Sequence, residues 1–140
     1  MNRDEIMQIL PHRQPMLLVD DMHLEGETCV SHYRIREDEF FTQGHFPGNP
    51  VVPGVILCEI MAQGCTLLIQ EELKEKLALY AGIKEAQFKR VVCPGDVVET
   101  RATLVAKRGP LVIIDATATV EGQVCSKGIL SFMLVAKQQG

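Results

Sequence analysis

Residues 55–76 read VILCEIMAQGCTLLIQEELKEK. From Val55 to Ile69 the Val, Ile, Leu, Met and Ala positions cover nearly the whole circumference of a 3.6-residue period, and polarity rises only at QEELKEK. The pattern predicts one helix over Val55–Lys76. A helix that is apolar all round is surrounded by protein, so the rest of the chain has to wrap it. The residues that follow supply the wrapper. Leu79–Ile83, Gln87–Val92, Val97–Leu104, Leu111–Val120 and Val124–Val135 read as strands, bounded by Pro94-Gly95-Asp96, Arg108-Gly109-Pro110 and Glu121-Gly122. Thr117 and Thr119, with the alanines between them, give a clean period of two. The predicted architecture is α+β, one long central helix against an antiparallel sheet.

Upstream, Asn2 is placed to cap a short helix over Arg3–Leu10 that stops at Pro11. Met16–Val19 fits a first strand and Thr28–Ile35 a second. Phe40–Gly54 holds three prolines and three glycines and reads as irregular. No linker, repeat or low-complexity tract divides the chain, which points to a single domain over 1–140. A wide sheet with an open edge is commonly closed by a second copy, so a homodimer at least is expected.

Composition narrows the function. The 140 residues carry a formal charge of −4, which argues against a nucleic-acid binder. Lys89-Arg90 and Lys107-Arg108 are the basic pairs that an acidic partner would meet. Five cysteines with no CxxC spacing suggest reduced, buried thiols rather than a disulfide framework or a zinc site. The opening MNRDEIMQIL lacks the basic and apolar regions of a signal peptide, and no apolar run is long enough to span a bilayer. The expectation is a soluble cytoplasmic protein without a membrane partner.

Two residues stand out chemically. Glu59 interrupts the apolar run Val55–Ala62, and burying a carboxylate is costly unless it is paired or neutral. A carboxyl group in apolar surroundings keeps its proton more readily, the state a general acid needs. Taken alone, Glu59 fits that role, a carboxylate satisfied by hydrogen bonds, or a contact in a dimer interface. Gln63 follows four residues later on the same helical face, where it could orient the carboxyl or serve as an ordinary interface amide. His45, taken alone, fits a structural loop histidine, but Gly44 before it and Phe46-Pro47-Gly48 after it form a stiff turn that could fix an imidazole at the mouth of an apolar groove. An imidazole takes and returns a proton near neutral pH. Pro53-Gly54-Val55 opens the helix, and the free N–H groups of Gly54 and Val55 at its positive end could polarise a thioester carbonyl. Cys58 points about 100° away from Glu59 on a helix and reads as a core thiol. His12, His23 and His32 have no metal-like spacing and read as structural.

At this point HFPGNPVVPGVILCEIMAQ, residues 45–63, resembles the beta-hydroxyacyl-(acyl carrier protein) dehydratases of fatty acid synthesis, in the FabZ-type pattern HFPxxPxxPGVLxxEAxAQ. The resemblance extends to ILPHRQPMLLVDDM, EDEFFTQGHF, AGIKEAQFKRVVCPGDVVE and ATATVEGQVCSKGILSFML, nearly the whole chain. It implies a hot-dog fold. It also implies a catalytic His at His45 and a catalytic Glu at Glu59, where the FabA-type branch carries Asp. The family's active sites are shared across a dimer, usually within a trimer of dimers. The implied reaction is loss of water from a (3R)-3-hydroxyacyl thioester on acyl carrier protein, giving the trans-2-enoyl product, with no metal or organic cofactor. His45 would take the C2 proton, Glu59 would protonate the leaving hydroxyl, and Gly54, Val55 and Gln63 would hold the substrate or the acid. Val51, Val52, Leu57 and Met61 are candidates to line the acyl tunnel. The chain departs from the pattern at Thr42-Gln43, one residue more than usual before His45, and at Met16, Ile60 and Cys93. Other readings on the same fold are a dehydratase that also isomerises, a thioesterase, or a non-catalytic acyl-binding module.

Overall fold

A computed structural model describes residues 1–43, 45 and 48–137. The alternating segments become strands β1 (Asp21–Glu25), β2 (Thr28–Arg34), β3 (Lys76–Phe88), β4 (Val97–Arg108), β5 (Leu111–Val120) and β6 (Gln123–Ala136). The helices are α1 (Arg3–Met7), α2 (Phe40–Gln43) and α3 (Gly54–Gln63). Among the described residues the strands make one sheet in the order β1-β2-β4-β5-β6-β3, every neighbouring pair antiparallel. The α3 helix packs on β4, β5 and β6 in the middle of it.

The period of two in β5 has a direct consequence. Val112, Ile114, Ala116 and Ala118 are fully buried, while the residues between them reach the surface in part or fully. Ala102 faces Ala116 in the register, so small side chains sit side by side in the central strands and leave room for α3. Glu121 and Gly122 both have positive φ, 51° and 78°, as the tight turn of a hairpin with right-handed strand twist requires. Asn2 caps α1 through a reciprocal pair with Glu5: Glu5 N donates to Asn2 Oδ1 at 2.9 Å and Asn2 N to Glu5 Oε1 at 3.1 Å.

Four expectations change. First, the central helix ends at Gln63 instead of Lys76 and continues as 3-10 turns at Thr66–Ile69 and Glu72–Lys74. Side chains take the carbonyls that would extend it: Cys65 Sγ donates to Ala62 O, Thr66 Oγ1 to Gln63 O, and Cys29 Sγ to Gly64 O. Gly64 is also where β2 crowds the helix, since a Cβ there would lie 2.3 Å from Ser31 Oγ. Second, Leu79–Ile83 and Gln87–Val92 belong to one strand, β3, which ends at Phe88. Register shifts between Tyr80 and Gly82 and between Lys84 and Gln87, with Glu85 at φ 53°, break its alternation and made it read as two.

Third, Met16–Val19 is not a strand. Leu17, Leu18 and Val19 are buried in succession, so no face points outward, and the first strand is the more polar Asp21–Glu25. Fourth, Phe40–Gly54 begins with the helical turn α2. The additional residue falls inside that turn: Thr42 is buried, its Oγ1 donates to Glu39 O at 3.1 Å, and its carbonyl accepts the His45 N–H at 3.2 Å. No helix among the described residues is long and apolar enough to cross a membrane.

Candidate active site

The sequence places Glu59 in the middle of α3, and the sheet decides what that position faces. Glu59 is half-buried rather than enclosed: its side chain is 22% exposed and lines a cavity of about 290 Å³. The walls are mainly apolar, from Ala62, Ile69 and Leu73 on one side and Leu77, Leu79 and Phe132 on the other. Polar groups gather at Glu59. Gln63 Nε2 donates to Glu59 Oε1 at 3.0 Å, the contact that an i, i+4 spacing allows. Gln63 is itself buried, its Oε1 accepting the Leu18 N–H at 2.7 Å and its Nε2 donating to Met16 O at 2.8 Å. The amide therefore does two tasks. It satisfies the backbone at Met16 and Leu18 and it orients the carboxyl group.

Tyr80 of β3 closes another side of the cavity. Its hydroxyl donates to Cys58 O at 2.6 Å, and its ring lies 5.0 Å from that of Phe132. Burial, then the charge of Glu59, pushes the Tyr80 phenol far above its usual range, so it serves as a hydrogen-bond donor and not as an acid. Cys58 is buried and its thiol is likewise pushed up, by burial and then by Glu59, which fits a core residue and not a nucleophile. Cys29, buried beneath Gly64, is pushed up to about 11 by burial.

His45 belongs to the other end of α3. Its N–H bonds Thr42 O and its carbonyl accepts the Val51 N–H at 2.8 Å, which fixes the backbone leading into the helix. Gly44, Phe46 and Pro47, which carry much of the expected stiff turn, lie outside the described residues. Pro53 occupies the N-cap position, its carbonyl accepting from Ile56 and Leu57, so Gly54 and Val55 are the first helical residues and their N–H groups have no acceptor within the helix. At Gly54 the Phe88 ring approaches closely, 3.0 Å from where a Cβ would stand. A second cleft of about 270 Å³ opens here, lined by Val51, Val52, Gly54 and Leu57 and by Phe88, Lys89, Arg90 and Val91. Met61, a further tunnel candidate, is fully buried in the core. The two cavities thus lie at opposite ends of α3. Glu59 and Gln63 are brought together in the first cavity, whereas His45, Gly54 and Val55 belong to the opposite end of the helix, and His45 does not line the Glu59 cavity.

Against known families, residues 10–128 match the model of the FabA-like domain. The chain belongs to the FabA-like family. Among curated relatives, this FabA-like chain is 44% identical over 138 residues to the 3-hydroxyacyl-[acyl-carrier-protein] dehydratase FabZ of Lactococcus lactis subsp. cremoris, covering 95% of this chain and 94% of that one. It is 45% identical over 133 residues to the enzyme of the same name from Caldicellulosiruptor saccharolyticus, covering 92% and 95%. Among solved structures, it superposes on the dehydratase heterocomplex ApeI:P from Xenorhabdus doucetiae with a TM-score of 0.79 at 18% identity, covering 94% and 91%. A thioesterase-like neighbour from Lactococcus lactis, yhdA, gives 0.67 at 15% identity, covering 98% and 100%. At such identities the two structures speak for the fold alone, which is the hot-dog fold.

Beside Glu59 the fold also brings His12, which the linear sequence did not connect with it. Its Nε2 lies 3.4 Å from Glu59 Oε1, and it lines the same cavity. Residues 12 and 59 share no element, so no periodicity links them; only the fold does. Tyr80 was missed for the same reason. The other two histidines sit in surface ion pairs, His23 with Glu25 and His32 between Asp21 and Glu99. Among the described residues no cluster of three or more His, Cys, Asp or Glu side chains is arranged to hold a metal ion.

Proposed function

We propose that this chain is a (3R)-3-hydroxyacyl-[acyl carrier protein] dehydratase of type II fatty acid synthesis, a hydro-lyase that eliminates water to give trans-2-enoyl-ACP. The observation that carries the proposal is the oriented carboxyl of Glu59 at the polar end of an apolar cavity, in a chain more than two-fifths identical to enzymes of that name. Elimination needs a base at C2, an acid for the hydroxyl on C3, and stabilisation of charge on the thioester oxygen. His45 takes the C2 proton. Glu59 gives its proton to the departing hydroxyl, which leaves as water. The N–H groups of Gly54 and Val55, at the positive end of α3, bind the oxygen of the developing enolate. No resident metal or organic cofactor enters these steps.

His45 and Glu59 meet, in this proposal, across a homodimer. Support comes from β3. It is an edge strand of 13 residues with Leu79, Ile83 and Phe88 exposed, the kind of edge that a second copy covers. Residues 77–80 of β3 line the Glu59 cavity, and Phe88 with the residues after it lines the cleft at Gly54. Antiparallel pairing of two β3 strands would set the first end of one copy against the second end of the other. Each Glu59 cavity would then face the His45 end of the neighbouring helix, and Val55, 75% exposed in one chain, would be covered. The assembly we propose is a trimer of such dimers, each chain a single hot-dog domain, working in the cytoplasm. Lys89 and Arg90 stand at the mouth of the second cleft, where an acidic carrier protein would deliver its acyl chain.

The test is incubation with 3-hydroxyacyl-ACP of several chain lengths, with products identified by mass and double-bond position. A trans-2-enoyl product is expected, and Glu59→Gln and His45→Ala should each lower kcat by about a hundredfold or more. Free thiol without enoyl product would support a thioesterase instead. Binding without turnover would support an acyl-chain module.

A further inference from the structure

The protein treats the two oxygens of the Glu59 carboxyl differently. Oε1 lies 3.0 Å from Gln63 Nε2 and 3.4 Å from His12 Nε2. The direction of the Gln63 amide is fixed by main chain: its Oε1 meets the Leu18 N–H, which only donates, and its Nε2 meets the Met16 carbonyl, which only accepts. A flipped amide would set donor against donor and acceptor against acceptor. Gln63 therefore presents N–H to Glu59 Oε1, and that oxygen accepts. His12 Nε2 stands 3.4 Å from the same oxygen. The other ring nitrogen sets the tautomer. His12 Nδ1 is buried with no hydrogen-bond partner among the described residues, so a hydrogen placed there would be an orphaned donor. Arg13 holds the backbone that carries the ring, its guanidinium donating to the carbonyls of Met7, Leu10 and His12 at 3.0, 2.9 and 2.7 Å.

We infer that His12 is a positioning residue for the acid and that, with Gln63, it confines the transferable proton to Glu59 Oε2. The inference rests on the dehydratase reading, in which Glu59 protonates the leaving group. With the Gln63 N–H bonded to Oε1 and the His12 N–H facing that oxygen from 3.4 Å, Oε2 is the oxygen left to carry O–H, and the Gln63 bond holds the plane of the carboxyl. As the C3–O bond breaks, the Oε2 proton moves to the departing oxygen and water leaves. The charge then left on the carboxylate is met at Oε1 by donors already in place, with no rearrangement. His12 itself neither takes nor gives a proton in this step.

Two measurements decide it. In wild-type protein labelled with 15N-histidine, the His12 ring, identified by the signal missing from His12→Gln, should carry its hydrogen on Nε2. Kinetically, His12→Ala should lower kcat roughly tenfold to hundredfold, a part of what a placed general acid contributes, with KM little changed. His12→Gln, whose amide N–H can reach the same oxygen, should recover most of the loss. A hydrogen on Nδ1 in the wild type overturns the inference even if His12→Ala does not fold. So does unchanged kcat in His12→Ala, or a loss that tracks a lower melting temperature and is not recovered by Gln. Full activity in Glu59→Gln would instead remove the acid assignment beneath it, an outcome distinct from an active His12→Ala beside an inactive Glu59→Gln.

Discussion

Gln63 shows how one side chain can join stability to chemistry. It is 2% exposed, bonds three different residues, and leaves none of its amide atoms without a partner. Truncation in Gln63→Ala strands the Leu18 N–H and the Met16 carbonyl inside the protein. An unsatisfied buried group costs about 1–3 kcal/mol, so urea unfolding should show a loss of that order. Dehydration should slow as well, because Glu59 loses its nearest donor. The pair Glu59–Gln63 was legible in the sequence because an i, i+4 spacing on a helix is a contact rule that needs no tertiary information. His12 was not. It reaches the same carboxyl from a loop that only the folded core brings there, and nothing about an isolated His-Arg pair signals it.

At the scale of elements, a clasp ties the N-terminal helix to the end of β2. Asp20 accepts from Arg3 of α1 at 2.8 Å, from Arg36 at 2.7 and 3.1 Å, and from the Arg34 N–H at 2.8 Å. Partial burial works against its charge, but the Arg36 hydrogen bond, followed by the Arg34 N–H and Arg3, holds the carboxyl below its ordinary 3.8. Because the folded value is depressed, the clasp stabilises fully above 3.8 and its contribution fades as pH falls through the lower folded value. The melting temperatures of wild type and Asp20→Asn should therefore differ most near neutral pH and converge in acid. Arg36 also covers the Tyr33 ring at 4.8 Å, and the Tyr33 hydroxyl bonds Glu39 just before α2. The clasp thereby anchors the segment that leads to His45. Elements of this kind divide cleanly by how well the sequence announces them. The half-buried β5 was readable to the residue because one face is core and the other is not. Met16–Val19 misled because every side chain of Leu17–Val19 is core, and composition alone cannot separate such a segment from a strand. The helix end misled because Cys65 and Thr66 look like helix residues until their side chains are seen to capture the carbonyls behind them.

For the whole molecule, the proposed dimer rests on the open β3 edge. Ile83, 43% exposed near the middle of that strand, lies where two copies would cross. Ile83→Lys would place like charges beside each other and disfavour pairing. Sedimentation should then report a smaller species than the wild type, and activity should fall with dissociation even though neither His45 nor Glu59 has changed. Retained activity in a monomer would place the whole site within one chain. The 16–18 segment carries a different consequence. What Gln63 recognises there is a carbonyl and an N–H, atoms that every residue but proline supplies alike. The side chain of Met16, 38% exposed, can therefore be exchanged without moving the reference point for the acid. On the backbone side of the tether, proline at position 18 would erase the donor in a single step.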